Sequence, residues 1–187
     1  AGIGKKGIAI VENIEDVLAS CDVIIDFTTP EVSIRTLSAA IKHSKSIVIG
    51  TTGFSPEQKK SIDQAAESIR CVLAPNMSIG VNVLFKVAED VAKILKDAYD
   101  IEIIETHHKF KKDAPSGTAV RLSEIIADSL GRNLDEVGVY GRKGTTERMP
   151  KEIGVHTVRA GDIVGEHRVL FGGMGENLEL LHRAQSR

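Results

Sequence analysis

Short, wholly apolar segments alternate with longer amphipathic segments over the first 77 residues of the chain. The short segments predict three strands: Val23-Ile24-Ile25, Ile47-Val48-Ile49 and Cys71-Val72-Leu73. One helix between them is predicted to have an apolar side made of Val32, Leu37, Ala40 and Ile41. A more polar helix is predicted from Pro56 to about Ser68. Apolar strands separated by helices are typical of a parallel sheet with both faces covered, which is the doubly wound α/β plan.

The pattern changes after residue 77. A longer helix is predicted from Ile79 to about Lys96, with an apolar side of Val83, Val87, Val91 and Leu95. A strand at Ile101–Glu105 and a helix at Thr118–Leu130 follow, and the apolar side of that helix is predicted to be Ala119, Leu122, Ile126 and Leu130. From residue 153 the spacing predicts β-hairpins. One joins 155–158 to 166–171, and another turns at 172–175.

These patterns predict two domains. Residues 1–77 are expected to form a partial dinucleotide-binding domain with an incomplete doubly wound parallel (Rossmann-like) sheet. Residues 78–187 are expected to form an α+β domain with a mixed or antiparallel sheet.

Polar residues follow each predicted strand of the first domain: Asp26–Thr29, Gly50–Gly53 and Ala74–Met77. Ligands of open α/β sheets bind outside the carboxyl ends of the strands, so these segments predict a cofactor edge. The alternative is that their threonine, asparagine and glycine residues only cap helices and form turns. The motif Gly2-Ile3-Gly4-Lys5-Lys6-Gly7 is interpreted as a flexible loop, because the strand-like Ile8–Val11 follows it where the dinucleotide fingerprint requires a helix.

The segment 102–119 carries the densest candidate chemistry. His107 and His108 supply imidazoles that can exchange protons near neutral pH, and Lys109, Lys111 and Lys112 supply cations. Asp113 is predicted to cap a helix with Pro115 in its first turn, which would leave the N–H groups of Ser116, Gly117 and Thr118 free to bind an anion. The segment therefore predicts an active site for a small anionic substrate, although the lysines alone would also suit a solvated loop.

No metal site is predicted. Adjacent histidines at a strand end point in different directions, and neither cysteine nor carboxylate lies at zinc-site spacing. In the segment 159–167 a hairpin turn is the preferred interpretation, although Arg159 could supply charge to a carboxylate.

Composition narrows the classes of function. The net charge is −2 and aromatic residues make up 4% of the chain, so nucleic-acid binding is not expected. No apolar run approaches the roughly 18 residues of a membrane span, so no membrane association is expected either. Cys21 and Cys71 lack pairing or metal-type spacing, which suits free thiols in the cytoplasm.

The segment Glu102–His108, with Lys111, Asp113 and Pro115–Ala119, closely resembles the signature of the dihydrodipicolinate (4-hydroxy-tetrahydrodipicolinate) reductases, enzymes of the diaminopimelate route of lysine biosynthesis. The resemblance covers nearly the whole chain through further blocks in family order: Asp26–Thr28, Gly50–Gly53, Ala74–Asn82 and Arg159–His167.

This resemblance implies hydride transfer from NADH or NADPH to a cyclic, unsaturated imine that carries two carboxylates. It implies that His107 is the general acid/base and Lys111 the second proton donor. Substrate binding would fall to His108, Ser116, Gly117 and Thr118. Cofactor contacts would fall to strand-end residues: Thr28, Gly50, Thr51, Thr52, Ala74, Pro75, Asn76 and Met77. The resemblance also implies a homotetramer formed through the sheet of the second domain.

The chain departs from the family pattern at both ends. Family members begin with a glycine-rich βα unit that binds the pyrophosphate, and they end with a segment that returns to the first domain. Both parts are expected to be missing here, which leaves the choice between NADH and NADPH open. The rival interpretations are another nicotinamide-dependent dehydrogenase of an amino dicarboxylate and a non-catalytic dicarboxylate-binding fragment.

Overall fold

The computed structural model describes residues 4, 7, 8 and 10–186. The chain divides into two compact units, Ala1–Pro75 and Asn76–Arg187. Most of the glycine motif at residues 2–7, with part of the strand-like run after it, lies outside the described residues.

The first unit contains the predicted parallel sheet. Its strands are β1 (Val23–Asp26), β2 (Ser46–Ile49) and β3 (Cys71–Leu73), in the order β1-β2-β3, with both neighbouring pairs parallel. The helices are α1 (Glu15–Leu18), α2 (Pro30–Lys42) and α3 (Pro56–Ala65). The α/β plan is therefore confirmed, and the polar segments after β1 and β2 do lie at the carboxyl ends of parallel strands.

Two details of this unit differ from the prediction. Helix α2 buries Ser33, Leu37, Ala39 and Ala40. Leu37 and Ala40 are therefore buried as predicted, whereas Ile41 is exposed. The sheet also has an exposed side in the described part of the chain, where Val23 and Ile25 alternate with the buried Ile24.

The second unit contains a mixed five-stranded sheet and the longer helices. In chain order its elements are α4 (Ile79–Leu95), β4 (Asp100–His107), α5 (Gly117–Ser129), α6 (Leu134–Val137), β5 (Gly138–Tyr140), β6 (Ile153–Arg159), β7 (Gly165–Gly172) and β8 (Asn177–Ala184). The sheet order is β5-β6-β4-β7-β8.

The predicted hairpin between β6 and β7 is wrong. Strand β4 lies between them, pairing in parallel with β6 and antiparallel with β7. In the centre of the sheet β4 satisfies its backbone groups on both edges and buries Ile101 and Ile103 completely. The second predicted hairpin does form, with β7 and β8 antiparallel.

Helices α4 and α5 pack on one side of this sheet. Helix α5 buries Ala119, Leu122 and Ile126, as its periodicity predicted. Helix α4 buries a neighbouring stripe instead of the valines at 83 and 87: Val81, Leu84, Phe85, Ala88 and Ala92.

The strand register brings polar side chains into this otherwise apolar layer. His107 is paired with Arg159 of β6, and Glu105 is paired with His167 of β7. Side chains of paired residues point to the same side of a sheet, and alternate residues of one strand do so too. Glu105, His107, Arg159 and His167 therefore share the helix-covered face.

Candidate active site

The carboxylate of Glu105 lies at the centre of this polar cluster and is completely buried. Its Oε2 atom hydrogen-bonds with Nδ1 of His107. The guanidinium of Arg159 donates one bond to each carboxylate oxygen, both at 2.9 Å. The backbone N–H of Ser116 donates to Oε1 at 3.0 Å. Burial alone would raise the pKa of this carboxyl, but the bonds from His107, Arg159 and Ser116 outweigh it and lower the pKa to about 2.

His107 is held by the strand rather than by a loop, because β4 continues two residues beyond the predicted end. Its Nδ1 is engaged by Glu105, which leaves Nε2 to exchange a proton with a ligand. The start of β7 approaches this nitrogen: a Cβ at Gly165 would lie 3.0 Å from Nε2. Only glycine leaves that edge of the imidazole uncrowded.

The start of α5 is fixed from two sides. Ser116, rather than the predicted Asp113, caps the helix, and its hydroxyl accepts from the N–H of Ala119 at 3.2 Å. The prediction that the Ser116 N–H is free is wrong, because Glu105 takes it. The next two N–H groups of this turn belong to Gly117 and Thr118, and the first N–H groups of a helix have no partner within the helix.

Thr118 connects this helix to a residue of the predicted cofactor set. Its side chain is buried, and its hydroxyl oxygen accepts a hydrogen bond from the Asn76 amide at 3.2 Å. Asn76 in turn accepts from the N–H of Ser78 at 2.8 Å, so its side chain is fixed at both ends. The structure therefore brings Asn76 to the N-terminal end of α5.

His167 extends the cluster across β7. Its Nε2 lies 3.1 Å from the Ser116 hydroxyl, and its ring meets that of His107 edge-on with centroids 5.1 Å apart. Burial lowers the pKa of His167 to about 4, and the charge of His107 acts in the same direction. His167 is therefore neutral near pH 7.

Lys111 lies beside the site and forms an ion pair with Asp113. Its ammonium lies 2.8 Å from a carboxylate oxygen of Asp113, and its side chain is 22% exposed. The loop that carries it is tied to the segment after β6, because Ala160 donates to the His107 carbonyl at 2.9 Å and Lys109 to the Gly161 carbonyl at 3.1 Å. His108 is half-buried, with its ring tilted 6.4 Å from that of Phe110.

In the first unit two of the predicted cofactor residues, Thr28 and Thr51, form a network around Asp26. The N–H and hydroxyl of Thr28 both donate to its carboxylate, at 2.9 and 2.6 Å. The Thr51 hydroxyl accepts from Thr28 and from Ser33 at 2.9 and 2.8 Å. These hydroxyls are engaged inside the protein, so cofactor contacts there would fall to the backbone and to exposed neighbours such as Thr52.

Gly50 leaves room for the ring of Phe27. A Cβ at this position would lie 2.0 Å from the ring of Phe27, which is 63% exposed. The ring lies directly on the strand-end backbone, and its exposed face offers a flat apolar surface at the carboxyl edge of the sheet.

Glu105 and His167 were not predicted as site residues, and Arg159 was predicted to lie in a hairpin. A usable signal was present for Glu105. It lies two residues before His107, so the two side chains must share a face if the strand continues. The roles of His167 and Arg159 depend on β4 lying between their strands, which local spacing does not show.

Family models of both domains match the chain. Residues 1–77 match the model described as dihydrodipicolinate reductase, N-terminus, and residues 80–187 match the model of the C-terminus. Curated relatives named 4-hydroxy-tetrahydrodipicolinate reductase include those of Syntrophotalea carbinolica and Hahella chejuensis. Both are 56% identical over 188 residues, covering 100% of this chain and 70% of the relative.

Solved structures show the same similarity. A dipicolinate-bound dihydrodipicolinate reductase from Paenisporosarcina sp. TG-14 superposes with a TM-score of 0.66 at 31% identity, covering 92% of this chain and 66% of that chain. The NAD complex of GenD2 from gentamicin A biosynthesis superposes with a TM-score of 0.59 at 11% identity, which shows a shared fold alone.

Proposed function

The chain belongs to the dihydrodipicolinate reductase family, and we propose that it carries the acid–base and substrate-binding part of an NAD(P)H-dependent reductase. The reaction is the reduction of 4-hydroxy-tetrahydrodipicolinate to tetrahydrodipicolinate in the diaminopimelate pathway of lysine biosynthesis. NADH or NADPH supplies the hydride when bound. A biosynthetic reductase of this kind acts in the cytoplasm, and none of the helices in the described part of the chain is long and apolar enough to span a membrane.

One observation supports this proposal above the others. A single carboxylate, that of Glu105, bonds both the imidazole of His107 and the first turn of α5 through the Ser116 N–H. A proton donor and an anion site are therefore fixed relative to each other within the second unit. A substrate that carries a carboxylate beside an imine nitrogen requires this combination.

The substrate's carboxylate would bind the N–H groups of Gly117 and Thr118, where the helix dipole favours negative charge. The Thr118 hydroxyl, oriented by Asn76, would contribute a further bond. Ser116 would support this site from within the protein, because its N–H donates to Glu105 and its hydroxyl accepts from the N–H of Ala119.

Reduction of the conjugated imine leaves electron density on nitrogen and carbon that must be protonated. His107 would deliver a proton from Nε2, and its burial keeps bulk water from replacing it. Lys111 would donate a second proton after leaving Asp113, or would neutralise the anion that develops.

Some residues at the strand ends of the first unit could contact the nicotinamide end of the cofactor, whereas others are engaged within the protein. Phe27 offers an exposed ring over Gly50, and Thr52 is exposed beside it. Thr28 and Thr51 would orient this edge through Asp26 rather than bond the cofactor with their hydroxyls. The remaining predicted contacts, Ala74, Pro75 and Met77, follow β3.

We assign a homotetramer to this function, formed through the sheet face opposite α4 and α5. That face carries the exposed Val158 and Leu181, with ion pairs such as Arg168–Glu179 at 3.5 Å between them. No helix among the described residues packs on it. Sedimentation of the full-length protein as a monomer would contradict this assignment.

The function is tested by turnover of the full-length protein with freshly generated substrate, followed as NAD(P)H oxidation. We expect Lys111→Met to lower kcat by about 10²-fold, because a positioned proton donor is lost. The matched control is Lys112→Met, which removes an exposed lysine one residue away and is expected to leave kcat unchanged. Turnover only with other amino dicarboxylates, or dicarboxylate binding without any turnover, would favour one of the rival interpretations.

A further inference from the structure

The Glu105 carboxylate is saturated with hydrogen bonds from within the protein. A carboxylate has about four lone-pair sites, and here four donors point at it: His107 Nδ1, two nitrogens of Arg159 and the Ser116 N–H. With a side-chain exposure of 0%, it offers no surface to a substrate. Glu105 therefore neither binds the substrate nor exchanges protons with it.

The two terminal nitrogens of Arg159 are equally engaged, whereas its buried Nε–H has no hydrogen-bond partner among the described residues. One terminal nitrogen bonds Glu105 and the Val158 carbonyl, and the other bonds Glu105 and the Asp113 carbonyl, at distances from 2.5 to 2.9 Å. These four bonds use the four protons of the two nitrogens. The sequence-based suggestion that Arg159 supplies charge to a carboxylate is met within the protein, by Glu105.

We propose that Glu105 and Arg159 are a positioning pair that fixes the tautomer and orientation of His107, and that this pair also ties the anion-binding end of α5 to the same carboxylate. The inference rests on the proposed function for its effect on rate. Its structural part stands on the hydrogen bonds alone.

The tautomer follows from the donor count. The Arg159 nitrogens and the Ser116 N–H can only donate, so the carboxylate must accept from each. An ionised carboxylate cannot donate, so the proton between Glu105 and His107 belongs to Nδ1 of the imidazole. In its neutral form His107 then carries its lone pair on Nε2, and in its charged form it presents Nε2–H to the ligand.

The same count predicts what Glu105→Gln does. The new amide has an NH₂ group that needs an acceptor, and it faces three donors that cannot change. Only His107 can switch, by moving its proton from Nδ1 to Nε2. The amide oxygen then remains for the Ser116 N–H and for one nitrogen of Arg159, so the start of α5 keeps its acceptor, while the other Arg159 nitrogen loses its acceptor at this residue. We therefore expect the variant to reverse the tautomer and leave the anion site in place.

Neutron diffraction at pH 9 on crystals of the full-length protein tests the structural part. We expect deuterium on Nδ1 of His107 in the wild-type protein and on Nε2 in Glu105→Gln. Kinetics test the functional part: kcat is expected to fall by about 10²–10⁴-fold, while KM for the dicarboxylate substrate changes by less than about threefold.

Glu102→Gln is the matched control. Glu102 lies on the same strand with its side chain on the other face, and it likewise bonds a histidine, His156, and an arginine, Arg142. It is expected to leave kcat and the His107 tautomer unchanged. This control separates loss of the positioning pair from loss of any charged strand residue.

Deuterium on Nε2 alone of His107 in the wild-type protein would overturn the proposal. This outcome is measured on the wild-type protein, so it does not depend on whether the variant folds. An unchanged tautomer in Glu105→Gln, or a reversed tautomer with wild-type kcat, would overturn it as well. If instead the proposed function is wrong, the wild-type protein will not turn over the substrate, while Nδ1 of His107 will still carry deuterium.

Discussion

Replacing His107 with asparagine is expected to lower kcat/KM of the full-length protein by about 10²–10⁴-fold, the range that general acid catalysis contributes. Asparagine retains an N–H that can reach Glu105, so the buried carboxylate keeps its donors and the fold is preserved. The proton donor at the former Nε2 position is lost. Because His107 is only 9% exposed, bulk water is a poor substitute for it.

The loss should appear mainly in kcat, since the N–H groups of Gly117 and Thr118 still bind the substrate's carboxylate. The control is His43→Asn, which removes a histidine paired with Glu15 in the first unit. It is expected to retain wild-type kinetics. A His107→Asn enzyme with more than about a tenth of wild-type kcat would contradict the assignment of His107 as the acid.

The second large effect concerns stability in acid. The pKa of His167 is lowered by burial from its ordinary value of 6.5 to about 4. Below pH 6.5 His167 binds a proton in the unfolded chain but stays neutral in the folded protein. The free energy of unfolding therefore falls as the pH falls towards 4. One pKa unit corresponds to about 1.4 kcal/mol, so we expect a loss of about 3 kcal/mol over this range.

Denaturant unfolding of wild-type protein and of His167→Gln, at intervals between pH 8 and pH 4, measures this loss. The variant lacks the titrating group, so the difference in unfolding free energy between the two proteins should change by about 3 kcal/mol between pH 6.5 and 4. A constant difference would show that His167 is not buried in the neutral form.

Glu105 should act in a lower range. Its pKa falls from 4.5 to about 2 on folding, so the stability it contributes is complete above pH 4.5 and is lost as the pH falls towards 2. The two groups thus weaken the same cluster in successive pH ranges.

Local patterns predicted the elements of the chain well, because strand and helix periodicities reflect burial directly. The apolar triplets at 23–25, 47–49 and 71–73 became the parallel strands of the first unit. The stripe of α4 was misplaced because Val83 and Val87 repeat at four residues, as do Leu84 and Ala88, and a one-residue change turns a helix by about 100°.

Long-range pairing was the part that the sequence did not reveal. The short connection between 159 and 165 favoured a hairpin, although the two strands flank β4. The consequence for the site was large, because Arg159 and His167 reach the β4 cluster from opposite neighbours. The segment 102–119 alone predicted the candidate acid His107, the second proton donor Lys111 and the start of α5. The side chains that hold this cluster in place come from three strands, β4, β6 and β7.

The most direct test of the account is a crystal structure of the full-length protein with dipicolinate, the ligand of the similar Paenisporosarcina enzyme. The account predicts one ligand carboxylate within hydrogen-bonding distance of the N–H groups of Gly117 and Thr118, with the ring within reach of Nε2 of His107 and Glu105 still bonded to Arg159. Dipicolinate bound away from this helix start, or held by an Arg159 that has left Glu105, would contradict it.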